Sequence, residues 1–286
     1  MKNWYFMDQW TTYFIERLSP LVTLAVIFGI ATTGVILDKN LFQPFPFVVS
    51  CFTIFYIAFI LRLKNDVDDY EKDCIAFPQR ALPRGVLSKK DAILVLRYLE
   101  YGLIIYFAML FIFSWGITRA NTFITALYLW FLLHDFYAKQ WLERRPLIKG
   151  LARHGLIIPI TFLAISFGRP EYVFSAQGFS YVLLLFGAFY TFDICRKLDP
   201  YSHPVSLTYI HYYGFLITYW FTCGLLILSA IGAYGMGVHM WLWPLEICVC
   251  VTLIMLFKRP KMFRIAEMAG SLSFLAHAWA GLLQWL

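Results

Sequence analysis

Long apolar segments alternate with short polar ones along the whole chain. Nine of the apolar segments have about the length that a helix needs to cross a bilayer. A helix satisfies its own backbone hydrogen bonds in lipid, and the alternating pattern of a membrane β-barrel is absent. The pattern therefore predicts an all-α, polytopic membrane protein of one domain, residues 1–286. The predicted spans are residues 20–37, 43–62, 92–115, 120–138, 152–168, 176–193, 208–232, 240–257 and 266–285.

The composition agrees with this interpretation. Hydrophobic residues make up 60% of the chain and charged residues 14%, whereas a soluble domain has roughly a quarter charged residues. The segment before the first span, residues 1–19, mixes aromatic and polar side chains. We expect it to lie at the membrane surface as an amphipathic helix.

The basic residues are distributed unevenly among the loops. If the N-terminus is cytoplasmic, the outward-facing loops contain only Lys39, Arg119 and Arg169, and the inward-facing loops hold the other loop cations. This asymmetry is typical of membrane proteins, whose cytoplasmic loops are rich in Lys and Arg. It also accounts for the net charge of +7 without a nucleic-acid partner.

The most acidic segment directly follows the second predicted span. In a helix, Asn65, Asp69 and Asp73 share one face, with Asp66 one turn from Asp69. Such side chains repel one another unless a cation lies among them. Oxygen ligands without His or Cys suit Mg²⁺, which binds a few carboxylates together with phosphate oxygens. The alternative is a solvated acidic loop.

The sixth predicted span ends in a second charged motif. Tyr190, Asp193 and Lys197 share a helical face, and Arg196 and Asp199 flank it. One interpretation is a local ion pair between Asp193 and Lys197. The other is a second metal and phosphate site, in which Asp193 is a ligand and the two cations hold anionic oxygens. Two such sites at the cytoplasmic helix ends would hold a diphosphate between two Mg²⁺ ions.

Basic residues near both motifs are candidates for binding the same anion. Arg80 and Arg84 follow the first motif directly. A further basic loop covers residues 139–153, and most of its cations are expected to meet anionic lipid headgroups. Lys139 is the best candidate in that loop to reach a bound diphosphate.

The first motif resembles that of a known family. The run Asn65-Asp66-x-x-Asp69-x-x-x-Asp73, followed by Pro78-x-Arg80-x-Leu82-Pro83-x-Gly85, is similar to the first Asp-rich motif and loop of the UbiA superfamily of intramembrane prenyltransferases. The resemblance covers most of the chain, with nine helices and an acidic motif at the end of the sixth. Many members have D-x-x-x-D there. This chain departs from that pattern, because Lys197 stands four residues after Asp193 and the next acid is Asp199.

The resemblance implies nine helices bundled around a central cavity that opens to the cytoplasm. It also implies Mg²⁺-dependent transfer of a prenyl group from a prenyl diphosphate to an unidentified acceptor, in contact with membrane lipids. The implied metal ligands are Asn65, Asp66, Asp69, Asp73, Asp193 and Asp199. The implied diphosphate ligands are Asn65, Arg80, Arg84, Lys139, Arg196 and Lys197. Candidates for the carbocation and prenyl pocket, chosen by nearness to the motifs, are Tyr56, Phe59, Tyr190 and Tyr209.

Two alternatives remain open. A membrane terpene cyclase would use the same ionisation and capture the cation within the prenyl chain. A transporter or a non-catalytic lipid-binding protein is the alternative from another class. Transporters often place polar groups and broken helices at the membrane centre, whereas this chain concentrates its charge at the predicted cytoplasmic helix ends.

Overall fold

The regular elements of the protein are helices. The structure, a computed structural model, describes residues 2–37, 39, 41–203, 205 and 208–286, and strands are absent from these residues. The predicted all-α class is therefore confirmed. The helices are α1 (Lys2–Leu18), α2 (Pro20–Ile36), α3 (Pro44–Asp68), α4 (Tyr70–Ala76), α5 (Lys89–Phe113), α6 (Gly116–Leu133), α7 (Lys139–Glu143), α8 (Pro146–His154), α9 (Ile157–Gly168), α10 (Ala176–Arg196), α11 (Tyr209–Gly235), α12 (His239–Lys258), α13 (Phe263–Ala278) and α14 (Ala280–Leu283).

Every predicted span contains a helix, and the protein is a multi-pass membrane protein. Within the described residues, six helices are long and apolar enough to cross a membrane, and one of them is formed by α8 and α9 together. A seventh span is obtained if α1 and α2, which meet at a bend of 63°, are counted as one. The predicted spans 120–138 and 266–285 correspond to α6 and to the shorter α13 with α14. The number of nine spans and the central cavity stay predictions.

The helix boundaries follow local sequence signals. The hydroxyl of Ser88 accepts a hydrogen bond from the amide of Asp91 at 3.1 Å, and that of Ser175 accepts one from the amide of Gly178 at 3.0 Å. These contacts satisfy amide groups that the first turns of α5 and α10 leave unpaired. Helix α3 is longer than the predicted span, so the start of the acidic motif lies in the same helix as the apolar segment.

Helix α10 lies at the centre of the packing and contacts α9, α11 and α13. Its approach to α11 is close, because Gly187 faces the backbone of Leu225, and Gly232 faces the backbone of Leu184. A Cβ atom at either glycine would collide with the opposite helix, and such small residues are typical of helix contacts in membranes. Helix α10, which bears Asp193 in its last turn, is therefore packed closely against α11.

Candidate functional site

The first acidic motif spans the end of α3 and the short helix α4. The amide of Asp69 donates to the carbonyl oxygen of Asn65 at 2.9 Å, and the amide of Asp73 donates to that of Asp69 at 2.8 Å. Helical bonding thus continues across the break between the two helices. The backbone bonds keep the predicted helical spacing of these residues, but the surroundings of the carboxylates differ.

Asp66 is buried and is bound by the N-terminal helix α1. The guanidinium of Arg17 donates from Nε to Oδ2 at 2.8 Å and from Nη2 to Oδ1 at 2.6 Å. The hydroxyl of Tyr13 donates to Oδ2 at 2.9 Å, and Arg62 lies 3.6 Å from Oδ1. A two-point contact of this kind is among the strongest that arginine makes with a carboxylate. Sequence reasoning missed Tyr13 and Arg17, since it assigned α1 only to the membrane surface.

Asp73 is also buried and is held by Arg80. Nη1 of Arg80 lies 2.7 Å from one carboxylate oxygen of Asp73 and 2.8 Å from the other. Arg17 approaches the same carboxylate to 4.0 Å, so its guanidinium lies between Asp66 and Asp73. Arg84, the other cation predicted to bind diphosphate, pairs with Glu16 of α1 at 2.6 Å.

The third carboxylate of the motif, Asp69, is half exposed, with 47% of its side chain accessible, and lies 3.8 Å from Lys72. Oxygen donors at Asn65, Asp66, Asp69 and Asp73 suit Mg²⁺ chemically. In the described part of the chain, however, no three Asp, Glu, His or Cys side chains are grouped so as to hold a metal. The expected convergence on one ion is not seen in this arrangement, because guanidinium groups occupy Asp66 and Asp73.

The second motif is a cluster of cations around one carboxylate. Asp193 is buried in the last turn of α10. Its Oδ2 lies 2.6 Å from Nζ of Lys197 and 3.3 Å from Nε2 of His154, and its Oδ1 lies 3.3 Å from Nη2 of Arg196. The ion pair between Asp193 and Lys197, one of the two interpretations of this motif, is present. Lys197 and Arg196 outnumber the carboxylate, so the cluster suits anionic oxygens better than a second metal ion.

Asp199, which the resemblance implied as a further metal ligand, lies beyond the end of α10. Its Oδ1 accepts a hydrogen bond from the amide of Tyr201 at 2.9 Å, an arrangement that stabilises the local turn. The carboxylate of Asp199 therefore stabilises the loop after α10. The ion pairs at Asp193 are made by Lys197, Arg196 and His154.

His154 is the part of this cluster that sequence reasoning missed. It is the last residue of α8 and is buried. Its Nδ1 lies 2.7 Å from the carbonyl oxygen of Gly150, and its ring stacks on that of Tyr190 with centroids 4.4 Å apart. The ring is thus fixed in orientation with Nε2 towards Asp193. The available signal was a lone histidine in a basic segment, one turn after a glycine.

Two of the four predicted pocket aromatics lie at the second motif. The rings of Tyr190 and Tyr209 are 6.4 Å apart, and Nζ of Lys197 lies 5.5 Å from the centre of the Tyr209 ring. A Cβ atom at Gly150 would collide with both tyrosine hydroxyls. A residue without a side chain at that position therefore allows α8 to pack against these rings.

The other two predicted pocket aromatics have structural contacts elsewhere on α3. The hydroxyl of Tyr56 donates to the carbonyl oxygen of Leu99 at 2.8 Å and fixes α3 to α5. The ring of Phe59 lies 6.1 Å from that of Phe14 in α1. Tyr56 therefore belongs to helix packing, and Phe59 belongs to the contact between α1 and α3.

Lys139 is exposed at the start of α7, where it lines a surface cavity of about 840 Å³ together with Arg144 and Arg145. The contact of the basic segment with Asp193 comes from α8, where Nε2 of His154 lies 3.3 Å from Oδ2 of Asp193. The role of Lys139 in binding diphosphate stays a prediction.

The two motifs lie at the same end of the helix bundle. Arg62 in α3 and Arg196 in α10 are close enough for their charges to interact. Helix α8 contacts the second motif through His154 and Asp193. The sequence prediction that both charged helix ends share one side of the bundle agrees with the proximity of Arg62 and Arg196.

Comparison with known proteins identifies the fold. No protein-family model matches the chain, and no curated protein matches it. Among solved structures, it is similar to that of a digeranylgeranylglyceryl phosphate synthase in membranes, with a TM-score of 0.58 over 95% of this chain and 99% of the synthase chain. The chain has the fold of that synthase. The sequence identity is 17%, so the likeness establishes the fold, and the chemistry depends on the side chains described above.

Proposed function

We propose that the protein is an Mg²⁺-dependent membrane prenyltransferase, which moves a prenyl group from a prenyl diphosphate to an aromatic or lipid acceptor. The observation that carries the proposal is the pair of charged motifs at one end of the bundle, with cations clustered around Asp193. Its fold is that of a digeranylgeranylglyceryl phosphate synthase, whose product name describes geranylgeranyl groups on a glyceryl phosphate. In this proposal the N-terminus and both motifs face the cytoplasm, as the loop cations favour.

The second motif binds the diphosphate. Asp193 is buried and holds Lys197 and Arg196 at the end of α10 through contacts of 2.6 and 3.3 Å. A buried carboxylate that orients two cations leaves their remaining N–H donors available for anionic oxygens. Cations fixed before the substrate arrives stabilise charge that develops on the leaving group without further reorganisation.

The first motif would hold the metal. Asn65 and Asp69, with Asp66 and Asp73 once their arginine contacts are released, would bind Mg²⁺, which would neutralise part of the diphosphate charge. Arg80 and Arg84 adjoin this motif through Asp73 and Glu16. In this proposal they bind diphosphate oxygens that the second motif does not hold.

The reaction begins with cleavage of the bond between the allylic carbon and the diphosphate oxygen, with both electrons leaving on oxygen. The faces of Tyr190 and Tyr209, beside the second motif, stabilise the carbocation. A nucleophilic atom of the acceptor then forms a bond to the same carbon and releases its proton. Surrounding apolar helices exclude water, which would otherwise capture the cation.

The decisive experiment is turnover by the purified protein in lipid nanodiscs with Mg²⁺ and prenyl diphosphates of increasing chain length. Diphosphate release is measured with and without a panel of acceptors, namely glyceryl phosphate lipids, aromatic acids and quinone precursors, and products are identified by mass spectrometry. Acceptor-dependent release supports a transferase. Release without acceptor, together with a cyclic hydrocarbon or alcohol, would instead support a terpene cyclase, and no release at all would favour a non-catalytic lipid-binding protein or a transporter.

A matched pair of variants tests the role of the first motif. Asp69→Ala removes a half-exposed carboxylate on the motif face, and we expect at least about a hundredfold loss of turnover, the scale seen when an electrostatic group is removed. Asp68→Ala removes the neighbouring carboxylate, which pairs with Lys64 at 2.6 Å, and we expect near-normal turnover. Equal activity of the two variants would contradict the proposal.

A further inference from the structure

The guanidinium of Arg17 lies where a cation shared by Asp66 and Asp73 would lie. It binds both oxygens of Asp66 and reaches to 4.0 Å from Asp73. All three side chains are largely buried, with 11%, 6% and 9% of their surface exposed. A buried carboxylate needs a partner to offset its desolvation, and in this arrangement the partner is an arginine of α1.

A metal ion and Arg17 therefore compete for the same oxygens. Mg²⁺ forms short bonds to carboxylate oxygens in a strict geometry. Both oxygens of Asp66 already accept hydrogen bonds from Arg17, and Tyr13 adds a third. A metal ion placed between Asp66 and Asp73 has to displace the guanidinium from that position, and the guanidinium would then remain as an unpaired charge unless an anion replaces the carboxylate.

The attachment of α1 is compatible with such an exchange. A bend of 63° separates α1 from α2, and Ser19 at this bend has φ 44° and ψ 71°, a left-handed conformation that is rare for serine. Polar contacts on one face join α1 to the first motif and its loop: Tyr13 and Arg17 bind Asp66, and Glu16 binds Arg84. These polar contacts therefore help to hold α1 against the first motif and its loop.

We propose that Arg17 exchanges partners when the site is loaded. In the ligand-free protein it is the counter-ion of Asp66 and Asp73; a divalent cation displaces it, and the guanidinium then binds an anionic oxygen of the diphosphate. Helix α1 is released by metal alone and is held again by metal together with diphosphate. The inference rests on the proposed function, because it assumes that the first motif takes a divalent cation.

Metal affinity tests the competition without any measurement of turnover. Mn²⁺ binding to the protein in nanodiscs, without substrate, is followed by electron paramagnetic resonance. Arg17→Gln should bind Mn²⁺ about tenfold more tightly than the unaltered protein, the lower end of the change caused by altering groups around a metal. Arg264→Gln, which removes an arginine paired with Glu267 at 3.0 Å, should leave the affinity unchanged. Equal or weaker Mn²⁺ binding by folded Arg17→Gln would overturn the competition.

The second half of the exchange is tested with inorganic diphosphate. In the presence of saturating Mn²⁺, Arg17→Gln should bind inorganic diphosphate about tenfold more weakly, the loss expected for one charge-assisted contact. Arg17→Lys retains the charge without the two-point contact. Its affinity for inorganic diphosphate should lie between those of the unaltered protein and Arg17→Gln. Unaltered diphosphate affinity in Arg17→Gln would show that the arginine does not move to the anion.

Hydrogen exchange of the unaltered protein provides a measurement that needs no variant, so a folding defect cannot obscure it. Mn²⁺ alone should speed the amide exchange of residues 7–18, and Mn²⁺ with inorganic diphosphate should slow it again. An amide exchange rate of residues 7–18 that does not change on addition of Mn²⁺ would overturn the inference.

The failure of this inference and the failure of the proposed function give different results. If the unaltered protein transfers prenyl groups but its Mn²⁺ affinity does not depend on Arg17, the inference fails and the proposed function stands. If Arg17 competes with Mn²⁺ but no prenyl diphosphate is consumed, the proposed function fails instead.

Discussion

Nε2 of His154 lies 3.3 Å from Oδ2 of Asp193 and joins the last turn of α8 to the last turn of α10. Helix α8 therefore contacts the second motif directly. A substitution that shifts α8 should affect this motif, although Asp193 itself is not altered.

The first prediction concerns His154. His154→Phe retains the ring that stacks on Tyr190 and removes the contact to Asp193, whereas His154→Gln retains a polar group able to reach the carboxylate. We expect Phe to lower kcat about tenfold or more, the usual cost of altering a group that orients a binding residue, and Gln to lower it less. Steady-state kinetics with a prenyl diphosphate measure both. Equal losses in the two variants would mean that the ring, and not its contact to Asp193, matters.

The second prediction concerns the cations of the second motif. Lys197→Ala removes the ammonium group 2.6 Å from Asp193, so the concentration of inorganic diphosphate that half-inhibits turnover should rise about tenfold. Arg264→Ala, at an exposed ion pair on α13, should leave that concentration unchanged. If Lys197→Ala leaves the half-inhibiting concentration of diphosphate unchanged, the second motif does not bind diphosphate through this lysine.

Contacts at helical spacing were predictable from the sequence. The spacing of Asn65, Asp69 and Asp73 and the pairing of Asp193 with Lys197 follow from the helical repeat alone. The backbone bonds at the first spacing and the Asp193–Lys197 ion pair are present in the structure. The spacing does not say which way the face points. Asp66 and Asp73 are bound by arginines, and Asp69 is half exposed.

Contacts between distant segments were not predictable in this way. Arg17 reaches Asp66 across the whole of α2, and His154 reaches Asp193 across α9. Helical spacing contains no information about such pairs, since the bundle packing decides them. One local signal was available: Tyr13 and Arg17 are one turn apart in α1, so a tyrosine and a cation share a face next to the first span.

The third prediction concerns Gly150. A Cβ atom at this position would collide with the hydroxyls of Tyr190 and Tyr209, so Gly150→Ala should lower the free energy of unfolding by about 1–3 kcal/mol, as overpacking of a core does. Gly224→Ala in α11 has open space around the added atom and should not destabilise the protein. Tyr190→Phe removes one of the two hydroxyls and should restore part of the stability of Gly150→Ala. Thermal unfolding in detergent compares the unaltered protein, Gly150→Ala, Gly224→Ala and the double variant Gly150→Ala with Tyr190→Phe. An unchanged stability of Gly150→Ala would contradict the tight contact between α8 and α10.

The last prediction concerns the buried pair of Arg17 and Asp66. Asp66→Asn leaves the guanidinium of Arg17 without its main partner in a buried place, and we expect a loss of about 3–5 kcal/mol in the free energy of unfolding, the usual cost of breaking a buried ion pair. Arg17→Gln combined with Asp66→Asn removes both charges and should cost less than the sum of the two single variants.

Asp68→Asn is the matched control for this cycle, since it breaks an ion pair with Lys64 one helical turn away. It should change the free energy of unfolding by less than about 1 kcal/mol. Titration with a denaturing detergent measures all four variants. Strict additivity of Arg17→Gln and Asp66→Asn would mean that the two side chains do not interact in the folded protein. Helix α1 would then be held by its apolar contacts, such as the one between Phe14 and Phe59, rather than by the acidic motif.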